Sequence, residues 1–142
     1  MSYFITGGTG FIGRFLIDHL LKHKGTIHVL VRKGSKKKFD ALVRDRGWDP
    51  KRVLAVQGDM TAPACGVAPA QVRALAGHVK HFFHLAAVYD MAASAESQQA
   101  ANIGGTRHAL DLAAAMKAGC FHHTSSIAAA GLYPGVFRED MF

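Results

Sequence analysis

Short apolar runs alternate along the chain with stretches whose apolar residues recur every three or four positions. Tyr3–Thr6 is a brief β-prone run that stops in glycines, and Ile27–Val31, Val53–Gln57, Val79–Ala87 and Cys120–Ser125 repeat the theme. Between the first two runs, Ile12, Phe15, Leu16 and Leu20 place an amphipathic helix over Gly13–His23. Lys37–Arg46 carries Phe39, Leu42 and Val43 on one helical face. Pro69 stands where a helix starts, with Val72 and Leu75 on one side. Ala92–Lys117 is long, Ala-rich and mostly helical, with Gly104-Gly105 as its weak point. Strands that alternate with helices pair in parallel through right-handed crossovers, which covers the sheet on both faces. The expected fold is a doubly wound α/β domain.

The length of 142 residues suits one domain, and no repeat, low-complexity linker or boundary interrupts it. Both cysteines, Cys65 and Cys120, stand outside any spaced motif, so free and buried thiols in a reducing compartment are expected. The start, MSYFITGG, lacks the basic opening and unbroken apolar core of a signal peptide. No apolar stretch reaches the roughly 20 residues needed to span a bilayer. These features predict a cytoplasmic domain without a transmembrane segment. The net charge of +7 makes anions the expected ligands, phosphates first. Part of that charge is local, in the RKGSKKK run of Arg32–Lys38. The run lacks interleaved aromatics and any recognition module, which argues against nucleic acid as the partner.

The most specific stretch is Ile5-Thr6-Gly7-Gly8-Thr9-Gly10-Phe11-Ile12-Gly13, a G-x-x-G-x-x-G turn after a strand and at a helix start. Gly7 permits the tight turn, Gly10 lets backbone approach a pyrophosphate, and Gly13 allows close helix–strand packing. Free amides and the helix dipole then face the anion. An NAD site usually carries Asp or Glu at the end of the second strand, for the ribose 2′-hydroxyl. Here that position reads Val31-Arg32-Lys33. Arg32 offers a planar fork to a 2′-phosphate, with Arg14 and Lys33 bracketing the same group and Ser35 and Lys36 assisting. NADP is therefore the expected cofactor, ahead of NAD.

TGGTGFIG resembles the fingerprint of the extended short-chain dehydrogenase/reductase family, and further matches follow in order. Gly58-Asp59 is similar to the acidic position that meets the adenine ring. His84-Leu85-Ala86-Ala87 is similar to the fourth-strand motif beside the cofactor. Asn102 with Gly105-Thr106 resembles the family's N-x-x-G-T element, and Thr124-Ser125-Ser126 the strand end that carries the catalytic hydroxyl. The resemblance implies strand order 3-2-1-4-5 and a cofactor held by Gly7, Thr9, Gly10, Phe11, Ile12, Arg14, Arg32, Lys33, Asp59, Met60, Ala86, Ala87 and Asn102. It implies Ser126 as the hydroxyl that orients a carbonyl oxygen, with Ser125 as runner-up. Phe83–Asp90 and Ser125–Ala128 look closer to fatty acyl and other acyl-thioester reductases than to sugar-nucleotide epimerases or dehydratases, the near alternative.

The family's proton donor is Tyr in a Tyr-x-x-x-Lys pair, the Lys lowering the Tyr pKa. Four positions after Tyr3, Tyr89 and Tyr133 stand Gly7, Ala93 and Phe137, so the pair is absent from these residues. In the family it lies some tens of residues beyond the serine. The chain is thus expected to be the N-terminal part of a longer enzyme, holding cofactor without turning over substrate. A non-catalytic dinucleotide-binding module is the reading from another class. Ending after the fifth strand would leave a sheet edge and uncover apolar surface, so self-association or poor solubility of the isolated polypeptide is expected, a homo-oligomer being one outcome. His81-Phe82-Phe83-His84 and His122-His123 invite a metal, but His81 and His84 point to opposite faces of a strand, as do His122 and His123. With no Cys or carboxylate completing either pair, no metal is expected.

Overall fold

The computed structural model describes residues 1–87 and 99–141. The strands are β1 (Ser2–Thr6), β2 (Thr26–Val31), β3 (Val53–Gln57), β4 (Val79–His84) and β5 (Cys120–His123). The helices are α1 (Phe11–Leu20), α2 (Lys36–Asp45), α3 (Pro69–Leu75) and α4 (Gly105–Ala115), the last preceded by a π-helical turn at Ala100–Gly104. The strands form one parallel sheet in the order β3-β2-β1-β4-β5, as expected. Every residue of the central β1 is buried, which explains why it reads as a continuous apolar run rather than an alternating one.

Alternation along the strands divides the core into two layers. Tyr3, Ile5, Ile27, Val29 and Val31 meet Ile17 and Leu20 of α1 and Phe39 and Val43 of α2. On the other face, Phe4, Val56 and Phe82 meet Leu75 of α3 and Ala109, Leu112 and Ala113 of α4. Full burial of a side chain such as Ile5 or Phe82 contributes about 2 kcal/mol. Trp48, after α2, donates from Nε1 to Asp18 Oδ1 on α1 at 2.7 Å and so ties the first two helices together.

Several boundaries and faces differ from the sequence expectation. α1 begins at Phe11 and ends at Leu20, and it buries Gly13, Ile17 and Leu20 while Ile12 and Phe15 stay exposed. Gly13 fixes this rotation, because only the smallest residue fits where the helix meets the turn. β4 ends at His84 rather than Ala87, and β5 at His123 rather than Ser125. Both cysteines are free, but only Cys65 is buried; Cys120 opens the edge strand and is exposed. Burial pushes the Cys65 thiol up to about 12, with Asp59 and Asp111 adding to the shift, so it stays protonated. The segment expected as one helix from Ala92 lies partly outside the described residues, as do Tyr89 and Phe142. Among the described residues, no helix is long and apolar enough to cross a membrane.

Candidate functional site

The carboxyl end of β1 runs straight into the glycine turn. Gly7 adopts φ +73°, and a Cβ there would meet the backbone of Ala86 at 2.7 Å. The turn closes with Gly10 N–H donating to the Gly7 carbonyl at 3.0 Å. A Cβ on Gly13 would collide with the Gly7 carbonyl oxygen and would meet Gly8 Cα at 2.5 Å. The third glycine thus makes room for the turn itself rather than for the strand, a refinement of the expected role. Gly10 caps α1 without a side chain, the first helical bond is Arg14 N–H to the Gly10 carbonyl, and no acidic residue occupies the first turn. Phe11, Ile12 and Gly13 therefore have no intrahelical acceptor for their amides, and the positive end of the helix faces the turn.

Around this turn the sheet opens a cleft of about 360 Å³. Gly7, Thr9 and Gly10 border it at the centre, Leu30, Val31, Arg32 and Ser35 follow β2, and Gly58, Asp59, Met60 and Thr61 follow β3. Leu85, Ala86 and Ala87 complete it after β4. Sequence elements up to about 80 residues apart thus meet at the carboxyl edge, where doubly wound sheets bind ligands. Thr61 was missed from the sequence. It donates to Asp59 Oδ1 from its amide at 2.9 Å and its hydroxyl at 2.8 Å, an Asx turn that the D-x-T spacing could have signalled. Those two bonds hold the Asp59 carboxyl below the usual carboxylate range, with the Arg32 charge assisting.

Other expected contacts lie outside the lining. Arg14 directs Nε to the Gly10 carbonyl at 3.3 Å, while Phe11 and Ile12 expose their side chains. Lys33 borders a smaller neighbouring hollow with Arg32 and Lys36, and Lys36 pairs with Asp40 Oδ1 at 2.5 Å. Asn102 sits in the π-helical turn and its carbonyl accepts from Thr106 Oγ1 at 2.6 Å. Ser125 and Ser126 are exposed beyond β5. Ser126 Oγ accepts the Ala128 amide at 3.2 Å and so caps the turn Ile127–Ala130. That bond uses an oxygen lone pair and leaves the hydroxyl proton available to a ligand.

A directed chain of hydrogen bonds braces the cleft from behind. Thr106 Oγ1 spends its proton on the Asn102 carbonyl, so at 3.1 Å it accepts from His84 Nε2–H. His84 Nδ1 then carries the lone pair, and Thr6 Oγ1 donates to it at 2.7 Å. Thr6 in turn accepts the Ala86 amide at 3.3 Å. His84 is 1% exposed and held neutral, its pKa lowered to about 4 by burial and then by neighbouring His123. The unfolded chain binds a proton near pH 6.5 that the folded chain refuses until about pH 4. Stability present above pH 6.5 is therefore lost as pH falls through that window. Urea titrations at pH 7 and pH 5 are expected to differ by about 2 kcal/mol. His28, lowered by burial, adds in the same direction. His84→Gln should remove most of the difference.

Known proteins resemble this chain in sequence and fold. Residues 5–142 match the NAD-binding family model described as "Male sterility protein". A putative fatty acyl-CoA reductase of Drosophila melanogaster, CG8303, is 33% identical over 131 residues, spanning 82% of this chain and 24% of the relative. A linear gramicidin synthase of Brevibacillus parabrevis is also 33% identical, over 87% of this chain and 3% of the relative. Among solved structures, the terminal R domain from the myxalamid PKS-NRPS biosynthetic pathway superposes with a TM-score of 0.81 at 26% identity. That match covers 95% of this chain and 37% of the other. The chain thus spans a quarter or less of these curated relatives. Fold order, glycine turn and family match agree: the chain belongs to the male sterility protein family, within the extended short-chain dehydrogenase/reductases.

Proposed function

We propose that this chain holds NADPH for the reduction of an acyl thioester or aldehyde carbonyl, as the cofactor-binding part of a longer reductase. The observation that carries the reading is the single cleft joining the glycine turn, Arg32, Asp59 and Ala86-Ala87. Its backbone leaves open the space that a pyrophosphate needs, and the helix end supplies amides of the right sign. In this reading Gly7, Thr9, Gly10, Phe11 and Ile12 cradle the pyrophosphate, the last two through their amides. Asp59 and Met60 meet the adenine, with the Asp59 carboxylate accepting from its amino group. Arg32 takes the 2′-phosphate, with Lys33 and Arg14 adding positive field. Ala86, Ala87 and Asn102 lie toward the nicotinamide end.

When bound, NADPH would supply the hydride that reduces the electrophilic carbon. The protein's part is to orient that carbon and exclude its wrong face. Ser126 orients the substrate oxygen by a hydrogen bond from its hydroxyl, and Ser125 is the alternative donor of that bond one position earlier. The Drosophila relative, named as a fatty acyl-CoA reductase, favours the thioester over a sugar nucleotide. Titration of the 142-residue chain with NADPH, followed by calorimetry and nicotinamide fluorescence, should give one saturable site. Absence of heat and of fluorescence change at saturating NADPH overturns the proposal.

A further inference from the structure

On the sheet face away from α3 and α4, β4 and β5 bring together three metal-ligating side chains separate from the cleft. His81 lies opposite Cys120 in the β4–β5 register, and His122 follows two residues along β5 on the same face. One ligand atom from each of His81, Cys120 and His122 lies within 4.8 Å of the others. His81 Nδ1 and His122 Nε2 are 3.0 Å apart. Two nitrogens bound at tetrahedral angles to one zinc sit about 3.3 Å apart, close to the separation these two rings already have. Their planes are held by stacking: His122 lies 4.4 Å from the Phe83 ring at 12°, and His81 6.0 Å from the Tyr3 ring at 17°. Alternation within one strand separates His81 from His84 and His122 from His123, which is why no metal was expected. The cluster forms across two strands, and Cys120 supplies the sulfur that neither histidine pair contained.

We propose that His81, Cys120 and His122 bind one borderline divalent cation of the zinc class, leaving the fourth coordination position to water. Nitrogen and thiolate donors select zinc, cobalt or nickel over magnesium or calcium, which prefer oxygen. The Cys120 thiol loses its proton to solvent and forms the metal–sulfur bond. The proton shared between His81 Nδ1 and His122 Nε2 leaves that contact for the distal nitrogen of its own ring, freeing both lone pairs. The exposed Cys120 closes the remaining distance by side-chain rotation, because no core packing restrains it. One proton is released per cation, and affinity rises with pH. Occupied, the site fastens the edge strand β5 to β4.

Cobalt(II) titration of the reduced, untagged 142-residue chain tests this directly. The expected result is one equivalent bound, with a sulfur-to-cobalt charge-transfer band and the intense visible bands of tetrahedral cobalt, displaced by zinc. Cys120→Ser should abolish the charge-transfer band, and His81→Gln or His122→Gln should weaken zinc binding at least tenfold. Cys65→Ala, removing the buried thiol, should leave the spectrum unchanged. A spectrum without sulfur charge transfer, or one that survives Cys120→Ser, overturns the proposal. NADPH titration of Cys120→Ser reports on the cleft independently and should match that of the unaltered chain.

Discussion

Replacing Gly13 by Ala is expected to weaken NADPH binding roughly 100-fold and to destabilise the fold by about 2 kcal/mol. The added methyl has no free direction. It collides with the Gly7 carbonyl oxygen and meets Gly8 Cα at 2.5 Å, and both are backbone atoms that cannot rotate aside. Relief requires α1 to move away from the turn, which separates the first-turn amides from the position of the anion. The same displacement drags Ile17 and Leu20 from their seats on β1 and β2. Gly34→Ala is the matched control, since nothing lies within 4 Å of a Cβ there. Urea unfolding and NADPH calorimetry on both variants separate the effect of this contact from the loss of a glycine as such. A Gly13→Ala protein with unaltered stability and affinity would show that the helix can retreat without cost.

Arg32→Glu is the second large effect, and it acts on cofactor choice rather than folding. NADPH affinity should fall roughly 100-fold, about 2.7 kcal/mol, while NADH affinity changes less than about threefold. The substitution would remove the charge-assisted hydrogen bond that the proposed function gives Arg32 with the 2′-phosphate and put a carboxylate of the same sign in its place. Arg32 is exposed at the end of β2, so the substitution leaves the core intact. It also removes a cation beside Asp59, whose carboxyl should titrate closer to its ordinary range. Parallel fluorescence titrations with NADPH and NADH measure the preference. Equal affinities in the unaltered chain would remove Arg32 from this role.

The alternation of strands and helices was legible because each strand carries its own apolar run and each crossover its own helical period, while the order of the strands came with the family resemblance. The glycine turn was equally legible, since its spacing records a steric demand of the backbone at Gly7. What escaped was side-chain direction at helix and strand ends. Ile12 and Phe15 share the helical spacing of Leu16, yet the rotation of α1 is set by Gly13, whose demand outweighs apolar periodicity. Val79–Ala87 reads as one strand because Leu85 and Ala86 are apolar. Their amides in fact bond to the carbonyl and hydroxyl of Thr6 after the ladder has ended. Contacts across strands are harder still. Nothing in the spacing of His81, Cys120 and His122 announces their convergence, because register between β4 and β5 decides it.

Met60 borders the cleft, and its terminal methyl presses on the spot where a Cβ of Gly105 would stand. Its carbonyl accepts from His108 Nδ1, one turn into α4, at 3.0 Å. The wall of the cavity and the junction between π-helical and α-helical backbone are therefore one mechanical assembly. A guest that immobilises this methionine also withdraws freedom from the start of α4.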